Sequence, residues 1–541
     1  MVWPTRSIPA SRTGLTKFSR ISPTGGWNGY GTEYAVLSCR LCLQFNAFTF
    51  PQRIHQLPMS AAQSSAQSQP TLSFDELKSR LEPFEQTHLL RFWDSLDSDQ
   101  QSRLSEQIAQ VDFARLKTLI EGKDKSVDFG ELAARATMPQ AVASDGSGCD
   151  WTLDDAQKRG EEALRAGEIA TVLVAGGQGT RLGFDQPKGM FPVGPVSERT
   201  LFQFFADRLI AAGEKYGVDV PLYLMTSEAT HAETRRYFEE NNYLGLKPVQ
   251  VTIFQQGTMP AVDAETGQVL LAEKGSLALS PDGHGGTLRA LSRNGCMEEM
   301  RKNGRKHLFY FQVDNPLVGL CDPVFIGHHL LASSEMTTQV IRKRYPTEKV
   351  GNVVEIDGQT QIIEYSDLPD SAAEMTNADG SLKLWAGNIA VHLFDLAFLE
   401  RMLEQDTSLP IHRANKKVAH VDADGQLVTP DSPNATKFEQ FIFDLLPNAK
   451  NTIVCEANPA EAFAPVKNAN GAATDTPELA QQAICDLHRG WLRSCGVTVD
   501  DSVKVEINPR FAMDQDELCE KLRQSGDSDG EQSISSDRYF S

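Results

Sequence analysis

The sequence predicts an α/β protein whose centre is a largely parallel sheet, preceded by a helical segment and followed by a small β-containing unit. Three observations carry this. The runs IATVLVAGG (169–177), VPLYLMTSE (220–228), VQVTIFQQG (249–257) and HLFYFQVDN (307–315) are short, apolar and end in polar or Gly residues. Helix-like stretches such as TLFQFFADRLIAAGEKYG (200–217) and THAETRRYFEENN (230–242) lie between them. The 541 residues, 40% hydrophobic and 23% charged, are globular in composition and too many for one ordinary domain.

Taken in order, residues 1–70 form an extension that ends in the low-complexity AAQSSAQSQP (61–70), which predicts disorder. Residues 71–165 read as a helical domain. Ser73 with Glu76 makes a capping box, Leu77, Leu81 and Phe84 follow at helical spacing, and HLLRFWDSL and LSEQIAQVDFARLKTLI continue the pattern. Residues 166–455 hold the alternating α/β pattern. In open α/β sheets ligands sit beyond the carboxyl ends of the strands, and three of the four ends carry unusual chemistry: AGGQGTR, QQG and VDN. Residues 456–525, with SVKVEINPRF (502–511), predict a small C-terminal domain, and 526–541 a mobile polar tail.

A net charge of −20 argues against a nucleic-acid partner. No apolar run reaches the length a membrane span needs. Nine dispersed cysteines predict reduced cytosolic thiols rather than a disulfide framework, and Cys39-x-x-Cys42 lacks the second pair a zinc site requires. The first 58 residues set Arg6, Arg12, Lys17, Arg20, Arg40 and Arg53 against the single acid Glu33. This balance suits a transit peptide, or an upstream extension of the gene model with Met59 as the working start; we favour the extension.

The stretch VLVAGGQGTRLGFDQPKGMFPVG (172–194) runs a strand into closely spaced glycines, then Arg181 and Pro187-Lys188-Gly189. Bare backbone with two cations suits phosphate. Yet Lys188 has no hydroxyl residue after it as a P-loop needs, and Gly177, Gly179 and Gly183 miss the dinucleotide spacing. At the other ends, Gln255 could offer an amide to a base edge, and Asp314 could hold Mg²⁺ against phosphate or simply cap the strand. Glu364 and Asn388 could hydrogen-bond a sugar or sit solvated. Lys437 and Lys467, each beside apolar residues, could reach into the fold.

AGGQGTRLG followed by PKGM resembles the characteristic loop of the eukaryotic UDP-sugar pyrophosphorylases. LYLMTS, FQQGTMPA, SPDGHGG, QVDNPL, EKVGNVV, EYSDL, AGNIA, KFEQFIFD and PVKNA follow in family order, so the resemblance runs from about residue 70 to 510. Within that family it is strongest to the branch that uses N-acetylglucosamine 1-phosphate. The resemblance implies a Rossmann-like, GT-A-like nucleotidyltransferase domain with a mixed sheet, in a cytoplasmic monomer or weak homo-oligomer. Its reaction would join UTP to N-acetylglucosamine 1-phosphate and release pyrophosphate, with Mg²⁺ (or Mn²⁺). By position, Ala175, Gly176 and Gly177 would contact uridine, Gln255 and Gly283 the base, and Asp314 the phosphates or metal. Arg181, Lys188 and Lys437 would face the triphosphate, and His284, Glu364, Asn388 and Lys467 the sugar phosphate. Arg181, Lys188 and Lys467 would be the catalytic cations. Two departures, His284 where the family usually has Asn and Val391 where relatives often carry Asn, bear on the sugar. Glucose or N-acetylgalactosamine 1-phosphate as substrate, or a catalytically silent nucleotide-sugar-binding protein, are therefore the alternatives.

Overall fold

IATVLV offers β-branched and aliphatic side chains to both faces, so it can be satisfied only inside a sheet covered on each side. In a computed structural model, which describes residues 72–122, 129–405, 409–524 and 533–541, this run is the buried strand Ile169–Val174. The extension, the Cys39/Cys42 pair and residues 525–532 of the C-terminal stretch lie outside the described residues.

Ten strands make the main sheet: β1 (Ala141–Val142), β2 (Ile169–Val174), β3 (Leu222–Thr226), β4 (Val251–Gln255), β5 (His307–Gln312), β6 (Met336–Arg342), β7 (Gly351–Ile356), β8 (Gln359–Ile363), β9 (Ala386–Asp395) and β10 (Thr452–Glu456). Their spatial order is β1-β10-β6-β9-β5-β2-β3-β4, with the β7–β8 hairpin attached to β9. β9 runs antiparallel to both β5 and β6, so the sheet is mixed. The carboxyl ends of β2, β3, β4 and β5 share one edge, because these neighbours pair in parallel.

A bulge bends β9. Gln339 pairs with Val391 and Val340 with Asn388, so Ile389 and Ala390 are extra on β9, and Ala390 takes φ +56°. The Asn388 side chain accepts the Ala390 N–H at 3.0 Å and holds the kink. Val391, beyond it, is 2% exposed and packs in the sheet core.

Helices cover both faces. The helix Leu201–Tyr216 starts at a Thr200/Gln203 capping box and stops at Gly217, φ +72°. The Ser73/Glu76 box forms as expected, whereas 88–96 forms 3₁₀ turns, Thr87–Leu90 and Trp93–Ser95, because Asp97 already caps the next helix. Leu77, Leu104, Phe113 and Leu116 of the first helices share one core with Val262, Leu271, Leu277 and Phe438. Residues 533–541, expected as a mobile tail, pair back onto the C-terminal region, with Arg538–Phe540 alongside Val505–Ile507 and Phe540 buried. The expected absence of disulfides is also corrected. Cys495 and Cys519 are bonded, while Cys149, Cys296, Cys321, Cys455 and Cys485 are free.

Under the sheet, helices Leu153–Arg165 and Pro323–Leu331 touch through glycine. A Cβ on Gly160 would fall 1.8 Å from the Pro323 carbonyl oxygen, and one on Gly327 1.7 Å from that of Ala156. Helix propensity alone makes Gly→Ala stabilising. Gly160→Ala should instead lower stability by about 1–3 kcal/mol, since backbone must move. Gly490→Ala, at an open helical position, should raise it by about 0.5–1 kcal/mol. Urea unfolding of the two variants should show opposite signs.

Candidate active site

Beyond β2 the chain must turn across the sheet edge without side chains in the way. Ala175 still belongs to the sheet, its N–H donating to the Met225 carbonyl at 2.8 Å. The N–H groups of Gly176 and Gly177 donate to no other backbone group. Gly177 is open: a Cβ there would meet nothing within 4 Å. A Cβ on Gly176 would fall 2.6 Å from the Gln256 side-chain oxygen and 3.4 Å from Ser227. The loop then closes on itself. Gly179 N–H donates to Gln186 (2.9 Å) and Lys188 N–H to the Gly177 carbonyl (3.1 Å), while Phe184 packs edge-on to Phe191.

Lys188 opens the 3₁₀ turn Lys188–Met190, and Gly189 lies so flat on Phe202 that a Cβ would come within 2.1 Å of the ring. The turn is thereby held against helix Leu201–Tyr216. From the far side the C-terminal region grips the same segment. The Glu506 carboxylate accepts the N–H groups of Val196 (2.9 Å) and Ser197 (2.8 Å) and the Ser197 hydroxyl (2.5 Å). Asn508 donates to Asp207 at 2.9 Å, and Asp207 in turn pairs with Arg199.

Asp314 follows β5 directly. Its carbonyl accepts the Val466 N–H at 2.8 Å, which sets Lys467 beside it. Asn315 secures this junction, donating to the Ala462 carbonyl (2.7 Å) and accepting the Ala464 N–H (3.1 Å). The Lys467 ammonium lies 5.5 Å from the Phe463 ring centre. Burial pushes the Lys188 ammonium below the usual lysine range; Asp314 opposes that, and Lys467 and Arg181 add to it. Lys188, Lys467 and Arg181 thus come together with Asp314 at the sheet edge, with Asp475 also facing Lys467 and Asp314, in a chain whose net charge is −20.

On the other side of Lys467, Glu364 follows β8. Its Oε1 would lie 3.0 Å from a Cβ on Gly351, and the Asn388 Cβ 3.5 Å from the same point. Gly351 and Asn388 are register partners, so a glycine here leaves room between the carboxylate and the amide. Burial raises the Glu364 carboxyl to about 7, Asp367 and Asp444 add to it, and His412 and Lys467 oppose it. His284, on the turn His284–Gly286, accepts the Ile442 N–H on Nδ1 at 3.1 Å and stacks on Phe441. Burial, with His412 behind it, holds that imidazole down at about 4, so the ring is neutral and carries its proton on Nε2.

The structure therefore brings together Ala175, Gly176, Gly177, Arg181, Lys188, Asp314 and Lys467 along one edge, with Glu364 and Asn388 joined to them through Lys467. Gly283 (φ +84°) has its place because a Cβ would strike the Gln440 carbonyl at 2.3 Å. Lys437 lies on the strand Ala435–Glu439 of a three-stranded sheet, where its backbone pairs opposite Ala414 and its side chain has no hydrogen-bond or ion-pair partner among the described residues. Gln256 lies against Gly176, and Gln255 is exposed at the end of β4. Val391 is buried in the hydrophobic core of the sheet. Asn315 and His412 escaped sequence reasoning: Asn315 was legible only as part of VDNP, and His412 carried no motif.

Residues 140–496 match the family described as UTP–glucose-1-phosphate uridylyltransferase. The chain belongs to that family. The UDP-N-acetylglucosamine pyrophosphorylase of Saccharomyces cerevisiae is 36% identical over 442 residues, covering 79% of this chain and 93% of that one. UDP-N-acetylhexosamine pyrophosphorylase-like protein 1 of Xenopus tropicalis is 37% identical over 439 residues, covering 78% and 86%. The crystal structure of the Trypanosoma brucei uridine diphosphate N-acetylglucosamine pyrophosphorylase in complex with inhibitor aligns with a TM-score of 0.71 at 27% identity. That alignment covers 86% of this chain and 98% of that one. Among the described residues no helix of this uridylyltransferase-family chain is long and apolar enough to cross a membrane.

Gly177 offers a direct test of this loop. Because a Cβ there meets no protein atom, Gly177→Ala should leave thermal stability within about 0.5 kcal/mol of wild type. It should weaken UTP binding by roughly tenfold or more, through the ligand the new methyl displaces. Unchanged affinity by calorimetry would show that no ligand approaches the loop.

Proposed function

We propose that this protein is a UDP-N-acetylglucosamine pyrophosphorylase, making UDP-N-acetylglucosamine and pyrophosphate from UTP and N-acetylglucosamine 1-phosphate. The observation that carries the reading is the convergence of Asp314, Lys467 and Arg181 on Lys188 at the end of β5, with Glu364 near Lys467 and Asn388 beside Glu364. The names of the yeast and trypanosome relatives supply the sugar.

A phosphate oxygen of the sugar phosphate attacks the α-phosphorus of UTP in line, forming one P–O bond. The bond from that phosphorus to the α,β-bridging oxygen breaks, and its electrons leave with pyrophosphate. The nucleophile is already ionised, so no general base is needed. The obstacle is charge: a phosphate with about two negative charges must approach a triphosphate with about four, and like charges at contact repel strongly. Lys188 and Arg181 serve the triphosphate, and Lys467 the sugar phosphate between Lys188 and Glu364. Gly176 and Gly177 admit the uridine, with Gln256 offering an amide to the base. Glu364 and Asn388 accept and donate hydrogen bonds to the sugar.

Asp314 fits a divalent cation. Among the described residues its carboxylate forms no hydrogen bond, and it faces the Lys188 ammonium. No cluster of three metal-binding side chains exists among the described residues, so phosphate oxygens and water would complete the shell, as Mg²⁺ prefers. When bound, the ion adds positive charge where pyrophosphate develops its own negative charge. We place the reaction in the cytoplasm, where the free thiols among the described residues would stay reduced and the Cys495–Cys519 bond would have to resist reduction.

The test is pyrophosphate release from UTP, Mg²⁺ and a panel of sugar 1-phosphates. N-acetylglucosamine 1-phosphate should give the highest kcat/KM. Release with glucose 1-phosphate alone would overturn the sugar assignment, and no release with any sugar would overturn the enzyme reading. Lys188→Ala and Lys467→Ala should each cost about 2.7–4 kcal/mol of transition-state stabilisation, on the order of a hundredfold in rate, with the fold intact. Near-normal rates in both would refute the charge argument.

A further inference from the structure

Near Glu364 lies a ring stack tied to carboxylates, one member of which, His412, belongs to none of the motifs that pointed to the site. His412, on the strand His412–Lys416, stacks on Phe441 with centroids 4.1 Å apart and planes at 27°. His284 stacks on the same ring, at 5.1 Å and 16°. Both nitrogens of His412 face acids. Nε2 lies 2.9 Å from the Asp444 carboxylate and Nδ1 3.9 Å from that of Asp367. Only Nε2 is within hydrogen-bond distance, while Nδ1 lies within ion-pair reach of Asp367, so the two carboxylates favour the imidazolium by charge.

The charged groups around Glu364 come from four segments. Asp367 shares its loop, His412 comes from the strand His412–Lys416, Asp444 from the turn Ile442–Asn448, and Lys467 from the segment that follows Pro465. His284, the remaining titratable group on the stack, is neutral. Burial alone would lower His412, but the Asp444 carboxylate, backed by Asp367 and Glu364, holds it above the ordinary imidazole value.

We infer that His412 is a positioning residue of the sugar pocket: as an imidazolium between Asp444 and Asp367 it seats Phe441 and supplies the charge that keeps Glu364 a hydrogen-bond acceptor. The inference rests on the reading that Glu364 faces the sugar. It assigns no contact with substrate to His412 itself. Its effect passes through the ring it stacks on and the carboxylate it faces.

The measurement is KM for N-acetylglucosamine 1-phosphate against pH, in wild type, His412→Asn and Asp367→Asn. In wild type KM rises as pH falls through about 7, where Glu364 takes up a proton. His412→Asn removes a cation and makes that proton harder to lose, so the limb moves up by on the order of one pH unit. Asp367→Asn removes an anion, so the limb moves down. The substrate phosphate titrates alike in all three proteins, and KM for UTP stays at the wild-type value. A packing role would give no opposed shifts. Coincident limbs, or shifts in one direction, overturn the inference while leaving the pyrophosphorylase reading standing. Should a thermal melt show that His412→Asn does not fold, Asp367→Asn decides alone, and an unmoved or raised limb overturns it. A wild type that forms no UDP-sugar from any sugar phosphate overturns the functional reading and this inference with it.

Discussion

One backbone hydrogen bond, from Val466 N–H to the Asp314 carbonyl, determines where the site's charges meet. Lys467 has no strand or helix of its own to hold it. It is brought to the end of β5 because Asn315 and the Asp314 carbonyl capture the segment that precedes it. A lysine left on a free loop would lose the entropy of ordering each time it met a phosphate. Here that cost is met on folding, and the ammonium is placed before any ligand arrives, which is what electrostatic preorganisation requires.

Lys188 is placed by a different means. Its neighbour Gly189 lies flat on Phe202, and Glu506 receives the two N–H groups at the tip of the following turn. The C-terminal region thus contributes no cation yet fastens the loop that carries one. Its own integrity comes from the Cys495–Cys519 bond and from the last residues, which pair with Val505–Ile507, the strand that bears Glu506. Catalytic loop and chain terminus are mechanically one assembly.

Much of this was legible in the sequence because its causes are local. A strand running into glycines, a carboxylate just past a strand and a capping box are all written in consecutive residues. What escaped depends on distance or phase. Gln255 and Gln256 differ by one step of the pleat, and only the exit of β4 decides which amide faces Gly176. The apolar faces of the first helices are evident, whereas the residues they pack on, Val262, Leu271, Leu277 and Phe438, lie far along the chain. The pairing of Cys495 with Cys519 could not be read from an odd, scattered set. His412 gains meaning only from Asp444, Asp367 and Phe441, which tertiary folding assembles around it.

The two extra residues in β9 bear on how such a pocket can change over evolutionary time. Asn388 and Val391 sit on either side of Ile389 and Ala390, one at the register partner of Gly351 and the other in the core. Side chains on a strand alternate between faces, so losing or gaining one residue there would exchange the two environments, sending an amide into the hydrophobic interior. A one-residue insertion or deletion there is therefore costly, whereas exchanging one side chain for another at a fixed position leaves both environments in place.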